Sequence, residues 1–174
     1  MKGILSILYA IVNDVLYRYS DFLDDVRIFT KNNEKAHNGF SHCGNYYEKK
    51  ISEADDCVTD IYNIKFWIDY KDNYLADQNE WYVAEDNRCD RKYRLEDGEL
   101  CLNIFGSVSE KGWHSLGRED SYKIIDLDDC SAYYVEYEYR KMNGKLLKES
   151  QIIREKVEKN FFVELIKKYR DSNV

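Results

Sequence analysis

Apolar and polar positions alternate with period two over several stretches of the chain. The longest is Cys130–Lys156, where two strand-like runs flank Asn143-Gly144. A type I′ hairpin turn needs φ > 0 at both central residues, and Asn and Gly tolerate it. A two-residue loop sets the register, so Tyr137 faces Ser150 and Val135 faces Ile152. Tyr133, Val135, Tyr137 and Tyr139 then share a face with Ile152, and Glu136, Glu138 and Arg140 share the other.

The same period marks Val58–Tyr70 as a half-buried strand, with Trp67 on its polar side. Glu80–Glu85, Arg91–Leu95, Glu99–Phe105 and Tyr122–Leu127 read as shorter strands, with Asp97-Gly98 as a second hairpin turn. Asp128-Asp129 turn the chain into the long hairpin.

Two stretches show helical spacing instead. In Met1–Asp25, Ile4, Leu8, Ile11, Val15, Tyr19, Phe22 and Val26 recur three and four apart, which predicts an amphipathic helix. Near the carboxyl end, Phe161, Phe162, Leu165, Ile166 and Tyr169 form a stripe after Asn160, a candidate N-cap. A start near Ser150 also satisfies the spacing, through Ile153 and Val157. Residues 31–56 are polar and read as a loop-rich excursion, with a short helix near Tyr46–Ser52.

The predicted architecture is one α+β domain over residues 1–174. It is an antiparallel sheet of six or seven strands with an N-terminal and a C-terminal helix packed on it. An open sheet and a strongly curled one both satisfy the pattern.

Composition narrows the function classes. The chain has 174 residues, 16 Tyr and no Pro, with formal net charge -7. Residues 1–120 carry -8 and residues 121–174 carry +1. An acidic surface repels phosphate backbones and attracts cationic partners, so direct nucleic-acid binding is disfavoured. Five cysteines without any C-x-x-C fit a reducing cytoplasm better than a disulfide framework. The apolar run Gly3–Val12 is too short to span a bilayer, and the polar side of its predicted helix is mostly Asp, unlike a membrane anchor.

Candidate chemistry is sparse. The chain has no dinucleotide, P-loop, zincin or nucleophile-elbow motif, so no cofactor or metal is implied. His37, His42, Cys43 and Cys57 match no zinc-knuckle spacing. Glu48-Lys49-Lys50 after Asp24 and Asp25 resembles a metal-nuclease spacing only by chance. His114, in a Gly-punctuated loop, is the one weak catalytic candidate, as an acid/base in a pocket of a curled sheet.

The stronger expectation is a protein-binding surface made of Tyr133, Tyr134, Glu136, Tyr137, Glu138, Asp128, Asp129 and Trp67. Tyrosine rings supply rigid contact area and cation–π attraction, and carboxylates supply steering and charge pairing. That chemistry fits a module that neutralises a basic protein partner, such as a toxin or nuclease domain. Bacterial immunity proteins and phage-encoded inhibitors share the general composition.

Overall fold

The structure is a computed structural model. It describes residues 8–22, 25–37, 39–70, 81–83, 98–105, 112–115 and 120–171. Among these, twelve strands precede one helix. The strands are β1 (Leu8–Val12), β2 (Val15–Phe22), β3 (Asp25–Thr30), β4 (Ser41–Cys43), β5 (Tyr46–Lys50), β6 (Val58–Tyr70), β7 (Trp81–Val83), β8 (Glu99–Phe105), β9 (His114–Ser115), β10 (Asp120–Asp126), β11 (Cys130–Met142) and β12 (Lys145–Val157). The helix α1 spans Lys159–Asp171. The pairing is antiparallel wherever a register is resolved.

The expected N-terminal helix is replaced by a hairpin. Asn13 and Asp14 have φ of 50° and 63°, so the chain reverses in a left-handed two-residue turn between β1 and β2. Asn and Asp are the residues other than Gly that tolerate this conformation best. Ile, Val and Tyr, abundant here, favour the pleated surface. The short helix expected near Tyr46–Ser52 is also absent, because β4 and β5 form a hairpin around Gly44, whose φ is 62°.

The long hairpin stands where the alternation predicts it, with Asn143 and Gly144 at φ 50° and 77°. The helix begins only after Val157, at Lys159, so Asn160 lies within its first turn rather than capping it. β6 and β8 have the predicted ends. Arg91–Leu95 lies outside the described residues.

The chain forms two compact units that share its longest elements. The first comprises residues 1–64, 136–153 and 167–174. Its strands run β4, β5, β3, β2, β1 and the first half of β6. Cross-strand pairs Leu8–Tyr19, Ala10–Tyr17 and Ala10–Ile61 place one set of alternate residues on a common face. Ala10, Val12, Tyr17, Tyr19, Ile28, Val58 and Ile61 form the core there, with Phe40, Ile51 and Cys57 against it. The opposite face carries Tyr9 and Tyr62, which meet Tyr169 of α1. The Tyr62 and Tyr169 hydroxyls are 2.8 Å apart, and the Tyr9 hydroxyl donates to the Tyr169 carbonyl at 3.3 Å.

The second unit comprises residues 65–135 and 154–166. Here the second half of β6 is followed by β7, β8, β10 and β9. Phe162 of α1 is fully buried against Phe66 and Tyr133, with ring centroids at 5.6 and 5.1 Å. A 3-10 turn over Leu127–Asp129 leads into β11, and the Asp126 side chain accepts the Asp128 N–H at 2.8 Å.

Candidate protein-binding surface

Of the eight expected contact residues, two are buried, five are half-buried and one is exposed. Tyr133 is buried, and its hydroxyl donates to the Leu127 carbonyl at 2.6 Å. Burial pushes that hydroxyl up to about 12. Glu136 is only 5% exposed. Tyr137 is half-buried, its ring packed edge-on to Tyr62 at 5.7 Å. Tyr134, Glu138 and Asp129 are also half-buried. Asp128 is exposed and ion-paired with Lys159. Trp67 is half-buried beneath the Arg154 guanidinium, 4.8 Å from its ring centroid.

Burial along β11 does not alternate: Ala132, Tyr133, Val135 and Glu136 are all buried, so positions of both parities are covered. The expected Val135–Ile152 face also divides: Val135 is 1% exposed and Ile152 is 62% exposed. The cover over β11 does not extend to β12.

His114 is exposed on β9, its ring stacked on Tyr122 at 5.0 Å. Among the described residues no carboxylate is hydrogen-bonded to it.

A different acidic surface does form, at one end of the first unit. Three chain reversals meet there. Asn13 N–H donates to Cys57 O at 2.9 Å, joining the β1–β2 turn to the loop before β6. Asn143 N–H donates to the Asp60 carboxylate at 3.0 Å, and Gly144 N–H to Thr59 O at 2.8 Å, joining the β11–β12 turn to the start of β6.

The loop Ser52–Asp56 is held from within and from below. Ser52 N–H donates to Asp55 Oδ2 at 3.1 Å, and Val58 N–H to Asp55 O at 3.1 Å. The Lys141 ammonium, 1% exposed as a residue, donates to Glu53 O at 2.7 Å and Asp55 O at 3.0 Å. Arg140 pairs with Asp21 and reaches Glu53 at 3.2 Å, over the Tyr19 ring. The Tyr19 hydroxyl donates to the same Glu53 carboxylate. Burial first, then that bond, raises the Tyr19 pKa.

Lys141 and Arg140 therefore neutralise the underside of the loop. Asp14, Asp55 and Asp56 remain exposed at its outer surface. Among the described residues no group of carboxylates converges to hold a metal ion. Sequence reading missed this surface because its parts are far apart in the chain.

Among the described residues the chain is thus a mostly antiparallel sheet with one C-terminal helix, and its first unit carries an acidic surface built from turns. No family model, curated protein or solved structure matches the chain. Among the described residues no helix is long and apolar enough to cross a membrane.

Proposed function

We propose that this protein is an acidic binding module that neutralises a basic protein partner, such as a toxin or nuclease domain. A bacterial immunity protein or a phage-encoded inhibitor of host defence would act in this way, in the cytoplasm. One observation carries the reading: Asp14, Asp55 and Asp56 stand exposed on turns fixed by backbone hydrogen bonds, above the buried Lys141 ammonium. A preorganised anionic surface speeds encounter with a cationic one and loses little side-chain freedom on docking.

The test is co-expression with the product of the adjacent gene, followed by co-purification and titration. A complex is expected that weakens as salt rises and loses at least tenfold in affinity in the triple variant Asp14→Asn, Asp55→Asn, Asp56→Asn. No complex, or one indifferent to those substitutions, overturns the proposal.

A further inference from the structure

β12 is a sheet edge of unusual length. It spans thirteen residues and, among the described residues, pairs with β11 alone. Two of its large apolar side chains stand in solvent, Leu146 at 51% and Ile152 at 62% exposure. Both are at even positions and so lie on one face of the strand. The two-residue turn makes Met142 and Lys145 the hydrogen-bonded pair that closes the hairpin. Odd positions of β12 therefore direct their backbone N–H and C=O toward β11. Even positions (Leu146, Lys148, Ser150 and Ile152) direct theirs outward.

Proteins with exposed edges usually place charges on them, and lysines above all, to prevent pairing. The order of charges on β12 permits one self-pairing and opposes its neighbours. Two copies related by a two-fold axis must pair one residue with itself. Centred on Glu149, the register opposes two carboxylates. Centred on Gln151, it sets Lys148 against Arg154. Centred on Ile152, it sets Lys148 against Lys156 and Glu149 against Glu155. Centred on Ser150, no like charges face each other. Lys145 then faces Glu155, Leu147 faces Ile153, and Lys148 faces Ile152, each twice. Opposite-charge and apolar cross-strand pairs are the stabilising ones.

We infer that β12 is a homodimerisation edge, pairing antiparallel with β12 of a second copy about Ser150. The dimer extends the sheet across two chains, satisfies the outward backbone groups of both edges and covers Leu146 and Ile152. It is separate from the Asp14–Asp55–Asp56 surface.

Sedimentation of the full chain across a concentration series tests this, with two variants of the exposed Ile152. The wild-type chain is expected to approach twice its 20.8 kDa mass as concentration rises. Ile152→Lys places a lysine opposite each Lys148 and is expected to raise the dimer dissociation constant at least tenfold. Ile152→Glu places a carboxylate there and is expected to leave it unchanged or lower it. Both substitutions remove the same apolar side chain, so non-specific stickiness predicts equal losses. A chain that stays monomeric throughout, or variants that shift the constant equally, overturns the inference. A strand from another protein, as the true occupant, would appear as the first of these.

Discussion

The residue whose placement explains most is Lys141. It lies near the tip of the long hairpin, where a lysine would ordinarily be solvated. Burying its ammonium costs free energy unless its donors are met. The Glu53 and Asp55 carbonyls meet two of them, and in return their loop is pinned. Lys141→Met keeps the length of the side chain and removes the donors. The two carbonyls then lose their partner, at about 1–3 kcal/mol. A urea titration is expected to show a lower midpoint with an unchanged slope, since the surface exposed on unfolding is the same. An unmoved midpoint would mean that the loop holds its shape without the lysine. Tyr133 obeys the same logic: its hydroxyl finds Leu127 O inside, so a residue suited to a binding face serves the interior.

At the scale of elements, the legible parts are those with enough repeats to fix a period. β6, β8 and the β11–β12 hairpin each alternate over seven or more residues, and Asn143-Gly144 names its turn. The N-terminal stretch misleads because of its own turn. Val12 and Val15, both on the core face, are three apart only because Asn13 and Asp14 reverse the chain between them. Leu8, Ile11, Val15 and Tyr19 thus mimic a helical stripe while belonging to two strands. The acidic surface was illegible for a related reason. Asp14 is joined to Asp55 and Asp56 by Asn13 N–H to Cys57 O, a bond between distant segments with no local signature. Asp14→Gly discriminates the two readings by sign. In a left-handed turn glycine relieves a strain of about 1 kcal/mol, so stability should rise by up to that amount. In a helix interior the same change costs about 1 kcal/mol. Thermal or urea unfolding of the variant reads the sign directly.

For the whole molecule, the tyrosines set a limit on stability at alkaline pH. Burial raises the pKa of Tyr17, Tyr19, Tyr62 and Tyr169 above the ordinary 10.0. It pushes Tyr133 up to about 12, and it pushes the Cys130 thiol from 9.0 up to about 12, with Asp129 and Asp126 adding to the effect. Each group is neutral when protonated, so the folded chain keeps protons that the unfolded chain releases. Above the unfolded values the folded state binds more protons, and stability must fall as pH rises. Below about 8 both states are protonated at these sites, and the contribution is constant. Each proton held only by the folded state steepens the loss by about 1.4 kcal/mol per pH unit. The urea midpoint should therefore be insensitive to these groups below about pH 8 and decline steeply above about 10. Tyr169→Phe keeps the ring against Tyr9 and Tyr62 and removes one titrating hydroxyl, so its decline should be shallower than that of the wild-type chain. A midpoint that holds past pH 10 would show that these rings are not sealed from water.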